Sequence, residues 1–181
     1  MKRIVLLIWL TGLLVPFTLW PALGSSPAWA SAASRYQLAE ESNYQEGCFE
    51  PCMCPMLLNE TLEGSFVLDL ISRDEGMDIY EIREIDWQFI QGEETVHVSG
   101  TGLYLIGHQT QSMALDLKVG DAAIQHFESG IVPLQVEFPE ISIAAAVNGF
   151  FCYDFVFCID AIPAPVNVQN ETWGSLKSTY R

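Results

Sequence analysis

The sequence predicts an all-β fold: an antiparallel meander of about eight strands, closed as a flattened barrel or folded into a β-sandwich. From Leu62 onward, apolar and polar residues alternate with a period of two, most clearly over residues 113–119. No stretch of this region shows a helical stripe of apolar residues. Turn-forming residues separate the apolar runs at 73–76, 91–93, 107–109, 120–121, 129–130 and 148–149.

The first 30 residues are typical of a signal peptide. Lys2 and Arg3 give a basic start, residues 4–20 form an apolar run, and Ala28-Trp29-Ala30 has the small-x-small form of a cleavage site. The apolar run is just short of a comfortable membrane span and ends in prolines. We therefore expect cleavage after Ala30, a secreted or periplasmic product, and no stable membrane anchor after cleavage.

The residues before the β domain are expected to be irregular. Residues 31–46 are polar and predict a loose lead-in segment with one short strand at Tyr36-Gln37-Leu38. A cysteine cluster follows, in which Pro51 and Pro55 remove backbone donors. We therefore divide the mature chain into an N-terminal segment with the cysteine cluster (31–61), a β domain (62–163) and a C-terminal tail (164–181).

Within the β domain, a hairpin is predicted around Asn148-Gly149, the residue pair that two-residue turns favour. It joins a strand over 141–147 to a strand over 150–159, with Ala146 opposite Phe151. Both faces of the last strand are partly apolar, and we expect the cysteine loop to cover the second face. A further strand is predicted over 132–138, where apolar and polar residues alternate. The glycines of Gly100-Thr101-Gly102 predict a β-bulge.

Five cysteines in an exported chain favour disulfides. Cys152 and Cys158 lie six residues apart on one extended strand, so their Cα atoms are about 20 Å apart. A disulfide requires less than about 7 Å. Cys52 and Cys54 are too close in sequence for an easy bridge. We expect a bond from the cluster, which is Cys48, Cys52 and Cys54, to Cys152, and one cysteine without a partner in the chain.

The spacing C-x3-C-x-C also permits a metal site. Three thiolates around zinc or copper(I), with His97, His108 or His126 as a fourth ligand, are the alternative use of the cluster. The two C-x-x-C knuckles of a structural zinc site are missing, so disulfides are preferred and no metal or other cofactor is predicted.

The composition is strongly acidic. The chain has 23 acidic and eight basic residues, a formal net charge of −15. This charge repels nucleic acids, anionic lipids and phosphorylated ligands. It is compatible with cationic partners, with divalent cations or with simple solubility. We expect the partner to be an unknown protein or a glycan, and no nucleic acid.

Candidate catalytic residues are few. Glu84 and Asp86 alternate on one predicted strand face beside Trp87, an arrangement that resembles the paired carboxylates of a glycosidase. A solvent-exposed strand face is the simpler interpretation. The common hydrolase motifs Gly-x-Ser-x-Gly and His-Glu-x-x-His are missing from the sequence. The leading hypothesis is an exported, non-enzymatic β domain with a binding or cell-envelope role. A carbohydrate-active hydrolase and a metal-binding protein are the alternatives.

Several short motifs lie between Tyr36 and Pro163. They are Tyr36-Gln37-Leu38, Gly47-Cys48, Pro51-Cys52-Met53-Cys54-Pro55, Asp86-Trp87, Gly100-Thr101-Gly102 and Cys152. On these motifs the chain resembles an uncharacterised family of secreted bacterial β-rich proteins. The resemblance implies export and a β-rich fold but no activity. Cys158 is an addition to the family pattern, which makes it the candidate for the free thiol. The tail from Thr172 to Arg181 is similar to a short ending of unrelated exported bacterial proteins.

Overall fold

The computed structural model describes residues 33–52, 54, 56–74 and 76–165. The predicted signal peptide and the tail after Pro165 lie outside these residues. No helix in the described part of the chain has the length and the apolar character that crossing a membrane requires.

The described residues form eleven β-strands and no helix, and every strand pairing is antiparallel. The strands are β1 (Ser34–Leu38), β2 (Asn43–Cys48), β3 (Leu57–Thr61), β4 (Glu63–Asp74), β5 (Met77–Gln91), β6 (Glu94–Ile106), β7 (Thr110–Val119), β8 (Gln125–Glu128), β9 (Val132–Pro133), β10 (Ile141–Ala146) and β11 (Tyr153–Pro163). The predicted all-β antiparallel fold is confirmed.

Eight of these strands close into a ring. Their order is β1, β4, β5, β6, β7, β8, β10 and β11, and β11 pairs back to β1. The ring is uneven because β11 has two partners along one edge: residues 153–158 pair with β2, and residues 161–163 pair with β1. β3 extends the sheet from β2, and the short β9 pairs with β7. Of the two predicted forms, the flattened barrel describes this ring better than the sandwich.

The segment 31–61 contributes three strands to the same sheet. β1 includes the predicted Tyr36-Gln37-Leu38, whereas β2 was expected to be irregular. Ser42 lies between β1 and β2 and is hydrogen-bonded to β11. Its buried Oγ donates to the Asp160 carbonyl at 2.7 Å and accepts from the Asp160 N–H at 3.0 Å. The Asp160 carbonyl also accepts the Ala39 N–H at 2.7 Å, so the Ser42 side chain supplements the backbone bonds where the partner of β11 changes from β2 to β1.

The interior of the ring is filled by alternating residues of the long strands. On β7, the predicted alternation is confirmed, since Met113, Leu115 and Leu117 are all buried. Burial of such side chains is the main favourable contribution to folding, about 25 cal/mol per Å² of apolar surface. The largest fully buried side chains are those of Trp87, Tyr104, Phe66, Phe127 and Phe157.

A β-bulge lies on β5 rather than on the glycine-rich strand. Ile82 pairs with Gly102 and Ile85 pairs with Gly100, so two residues of β5 oppose one residue of β6. Glu84, one of the two, has a φ of 51°. The two glycines serve a different purpose: a Cβ at Gly100 would collide with the backbone of β7. Gly100 and Gly102 allow β6 and β7 to approach each other closely, whereas the extra residue of the bulge lies in β5.

The segment 132–138 is a strand only at β9, so most of the predicted strand is wrong. Its apolar residues still cover one end of the ring. The Phe138 ring lies 5.5 Å from the Tyr80 ring, measured between centroids, and the Leu134 N–H donates to the Gln109 carbonyl at 3.0 Å. We call this the closed end of the ring.

The predicted register of the last hairpin is also wrong. Ala146 pairs with Val156 instead of Phe151, and a loop over 147–152 replaces the two-residue turn. The cause is Asp154, which is fully buried. Its carboxylate accepts hydrogen bonds at 2.7–3.1 Å from the N–H groups of Val147, Asn148, Phe150 and Phe155. Because the carboxylate binds the loop backbone from within, a wider loop is favoured over the tight Asn-Gly turn.

The cysteine loop lies against this wider loop, whereas it was expected to cover the second face of the last strand. A disulfide joins Cys52 to Cys152, the Phe49 N–H donates to the Cys152 carbonyl at 2.8 Å, and the Phe49 and Phe150 rings meet edge to face at 5.7 Å. Val156, on the outer face of β11, is fully buried. β11 is therefore buried on both faces at this position, whereas Ile162, further along its outer face, is exposed.

Candidate functional site

The end of the ring opposite the closed end contains a cavity of about 580 Å³. We call it the mouth cavity. It lies between the β5–β6 turn, the β7–β8 turn and the strands β2 and β11. Its lining residues are Tyr44, Glu46, Phe89, Gln91, Glu94, Thr95, Val96, His97, Val119, Gly120, Asp121, Ala122, Gln125 and Phe155.

Aromatic rings form much of the cavity wall. The Tyr44 ring stacks on the Phe89 ring at 4.4 Å and is tilted against the buried Phe157 ring at 5.1 Å. Phe155 lies on the same face of β11 as Phe157, because side chains alternate along a strand. Strand alternation on three separate strands thus brings these rings to one place.

Glu46 is the polar centre of this wall. The Tyr153 hydroxyl donates to its Oε1 at 2.7 Å, and the Tyr44 hydroxyl donates to its Oε2 at 3.1 Å. Burial raises the pKa of Tyr44 well above its ordinary value, and the neighbouring Glu46 raises it further. The hydrogen bond to Glu46 raises the pKa of Tyr153. Both phenols therefore stay protonated at neutral pH and act as donors that hold the carboxylate in place.

The mouth cavity is acidic. The exposed carboxylates Glu94 and Asp121 line it together with Glu46. The ion pairs among the described residues involve other carboxylates, and they are Arg35–Glu84, Arg73–Asp78, Arg83–Asp69, Arg83–Glu81 and His126–Asp116. Lys118 is exposed on the outer side of β7, paired with Ser99 of β6. Negative charge in a concave surface with apolar walls attracts cations.

Two smaller cavities adjoin the mouth cavity. The slot cavity, about 240 Å³, shares Phe89 and Thr95 with it, and the rim cavity, about 370 Å³, shares Glu46 and Gln91. The slot cavity is completed by Glu60, Thr61, Glu63, Gln88 and Ile90. The rim cavity is completed by Gly47, Met56, Leu57, Leu58 and Tyr153. Through these shared residues, both smaller cavities border the mouth cavity.

The carboxylates chosen from the sequence lie elsewhere. Glu84 is exposed and pairs with Arg35 at 2.7 Å, and Asp86 is exposed on the outer face of β5. Trp87 faces the opposite way and is 1% exposed in the core. The bulge on β5 and the alternation after it place the two carboxylates outside the ring, whereas Trp87 fills its interior.

The cluster cysteines are all engaged in disulfides. Cys48 pairs with Cys54, with Cα atoms 5.6 Å apart, and Cys52 pairs with Cys152 at 4.8 Å. The expected bond from the cluster to Cys152 is therefore present, and two disulfides indicate an oxidising extracellular or periplasmic environment. Cys158 has no disulfide partner. It is half-buried, and burial, followed by the nearby Asp160, raises the pKa of its thiol.

The ligands of the alternative metal site are not brought together. The cluster offers no thiolate, because its sulfurs are bonded to each other and to Cys152. His126 Nδ1 lies 2.8 Å from Asp116 Oδ1, His97 is at the mouth cavity and His108 is in the turn before β7. Within the described residues, no group of three or more His, Cys, Asp or Glu side chains is placed to hold a metal ion.

Sequence reasoning missed Tyr44 and Glu46. Both lie in the segment that was expected to be a loose lead-in. Tyr36, Leu38 and Tyr44 occupy even positions, and their buried side chains continue a period of two across the interruption at Ser42. That pattern was the available indication of a second strand.

Comparison with known proteins gives no further guide, since no family model, no curated protein and no solved structure matches this chain.

Proposed function

We propose that this protein is an exported, non-enzymatic binding domain that takes its ligand at the open end of the strand ring. The observation that carries the proposal is Glu46, a carboxylate held by two phenols in an aromatic-walled cavity. The two disulfides and the predicted signal peptide support export, to a secreted or periplasmic location. Membership of the uncharacterised family of secreted bacterial proteins stays a prediction and adds no activity.

The ligand group that fits this cavity is a cation on an apolar body. The carboxylates Glu46, Glu94 and Asp121 provide negative charge, and the half-buried ring of Phe155 provides apolar surface and a π system. A cation near an aromatic face gains about 0.5–2 kcal/mol, more when it is desolvated. The three carboxylates repel an anionic ligand.

The hydrogen bonds of Glu46 favour binding. A free glutamate side chain loses rotamer freedom when it contacts a ligand, which costs about 0.5–1.5 kcal/mol. Tyr44 and Tyr153 already fix both oxygens of this carboxylate, so most of that loss has occurred in the folded protein. The site is preorganised.

Catalysis by the carboxylates Glu84 and Asp86 is less well supported. A glycosidase needs two carboxyl groups on either side of the bond that it cleaves. Glu84 is engaged by Arg35, and both carboxylates lie on the convex outer surface of the sheet. The geometry therefore favours binding over hydrolysis.

The test is calorimetric titration of the purified protein with phenethylammonium, a primary amine on an aromatic body. We expect saturable binding that weakens at least about tenfold in Glu46→Gln. Glu137→Gln, which removes an exposed carboxylate of the segment at the closed end, is the matched control and should bind like the wild type. Phenylacetate, with the opposite charge, should not bind. Equal affinity of the wild type and Glu46→Gln would refute the site.

A further inference from the structure

We propose that an extended polypeptide segment binds along the free edge of β3 and places a basic side chain in the mouth cavity. This inference rests on the proposed function, because it names the class of ligand that occupies the same open end.

The first observation is the edge itself. In the described chain β3 pairs only with β2, and its other edge lies beside the end of β5 without pairing to it. β4 continues the pairing with β5 only as far as Glu63 opposite Gln88, so residues 89–91 of β5 pair with β6 alone. The sheet is therefore open between β3 and the last residues of β5, where the slot cavity lies.

The second observation is the direction of the backbone groups. The Cys48 N–H donates to the Met56 carbonyl at 3.1 Å, and the Leu62 N–H donates to the Ser42 carbonyl at 2.9 Å. Hydrogen-bonded positions alternate in an antiparallel pair, so residues 56, 58, 60 and 62 face β2. The N–H and C=O groups of Leu57, Asn59 and Thr61 consequently point to the open side, where an added strand pairs with them.

The third observation is the chemistry on either side of this edge. Glu46 and Glu60 lie on the cavity side of β2 and β3, whereas Leu57, on the other side of β3, exposes apolar surface, with 56% of its area accessible. Side chains of an added strand alternate between these two sides. A segment that alternates basic and apolar residues matches both.

The same charges argue against a second copy of this chain as the occupant. Two copies that pair edge to edge bring identical surfaces together, so the carboxylates Glu60 and Glu63 of one copy approach those of the other. A foreign segment with basic side chains meets attraction at this edge instead.

The start of β3 is fixed before any partner arrives. The Cys48–Cys54 disulfide ties the chain just before β3 to the end of β2, and the Cys48 N–H bond to Met56 continues that anchoring. The edge therefore needs little ordering on binding, which lowers the entropic cost of adding a strand.

The probe is a synthetic capped octapeptide of alternating valine and lysine. Calorimetry measures its binding to the protein, and hydrogen exchange measures its effect on the protein's amides. Asn59→Pro removes the open-side N–H and leaves the bonds to β2 intact, because proline is tolerated on a strand edge. Asn59→Ala retains the N–H. We expect the peptide to bind at least tenfold more weakly to Asn59→Pro than to Asn59→Ala, and to slow exchange of the Leu57, Asn59 and Thr61 amides in the wild type.

Titration with phenethylammonium separates the two proposals, because the amine needs only the cavity. It also reports whether Asn59→Pro is folded, since this variant should bind the amine like the wild type. If the peptide binds Asn59→Pro and Asn59→Ala equally while Glu46→Gln binds it weakly, the edge inference is wrong and the cavity stands. If neither amine nor peptide binds the wild type, both proposals fail. If the wild type is a dimer that Asn59→Pro dissociates, the edge belongs to a second copy and the inference is overturned.

Discussion

The hydroxyl of Tyr153 donates a 2.7 Å hydrogen bond to the carboxylate of Glu46, a residue 107 positions earlier in the chain. The two segments that meet in this bond are also joined covalently, because Cys152 next to Tyr153 is bonded to Cys52. The cross-link that stabilises the fold thus also holds the two sides of the candidate site together. Stability and site geometry therefore depend on the same junction of β2 and β11.

The two disulfides should contribute unequally to stability. Cys52–Cys152 spans 100 residues, whereas Cys48–Cys54 spans six. In the chain-entropy model, removing the long-range bond as Cys52→Ser with Cys152→Ser costs about 4.7 kcal/mol, and removing the short-range bond as Cys48→Ser with Cys54→Ser costs about 2 kcal/mol. Urea unfolding of the two double variants measures both losses. Equal losses would mean that loop length does not determine what these cross-links contribute.

Asp154 should be essential to the loop over 147–152. Its buried carboxylate accepts N–H groups on both oxygens, so Asp154→Asn turns at least one acceptor into a donor that faces another donor. We expect a loss of about 2–3 kcal/mol in the free energy of unfolding. Faster hydrogen exchange at the Asn148 and Phe150 amides should accompany the loss.

The control for Asp154 is Asp121→Asn, which changes an exposed aspartate in the turn after β7. It should alter the free energy of unfolding by less than about 0.5 kcal/mol. If Asp154→Asn is as stable as this control, the carboxylate is not the reason for the wide loop.

Alkaline pH should destabilise the fold through its buried tyrosines. Burial, with a further contribution from Tyr80, raises the pKa of Tyr36 to about 12, and burial raises the pKa of Tyr104 in the same direction. An unfolded tyrosine loses its proton near pH 10, so the folded state keeps protons that the unfolded chain has released. The resulting stability is complete below about pH 10 and is lost as the pH rises through about 12.

Urea midpoints measured across this range test the effect. The midpoint should fall as the pH rises, and Tyr36→Phe should fall less steeply than the wild type because one titrating group is gone. Parallel slopes for the two proteins would show that Tyr36 does not titrate differently in the folded and unfolded states.

Cys158 should be the single thiol that reacts in the native protein. The other four cysteines are paired, and burial raises the pKa of this thiol, so little thiolate is present at neutral pH. Iodoacetamide should label one site per chain, more slowly than free cysteine, with a rate that rises with pH. Peptide mapping by mass spectrometry identifies the labelled residue. Labelling at Cys48 or Cys54 without prior reduction would contradict the pairing.

Local patterns predicted much of the fold. The alternation of Met113, Leu115 and Leu117 identifies β7 and its buried face, and the turn residues around Gly92 and Gly120 identify two strand connections. These features depend on neighbours in sequence, so the sequence shows them directly.

Features that depend on distant residues were not predictable in this way. The register of β10 and β11 depends on Asp154, whose hydrogen bonds to the loop backbone outweigh the local preference of Asn148-Gly149 for a tight turn. The bulge at Glu84 lies opposite Thr101 of the neighbouring strand, so its position depends on the pairing of β5 with β6. The candidate site was missed for the same reason, since Tyr44 and Glu46 become part of a cavity wall only when β2 pairs with β11.

The position of a bound cation is the most direct test of the central proposal that the open end is the binding site. Amide chemical shifts of isotopically labelled protein, recorded by NMR during titration with phenethylammonium, locate that position. We predict the largest shifts at Glu46, Phe89 and Val96, which line the mouth cavity. Shifts concentrated on the outer face of β10 and β11, around Ala144 and Cys158, or no saturable shifts at all, would contradict this proposal.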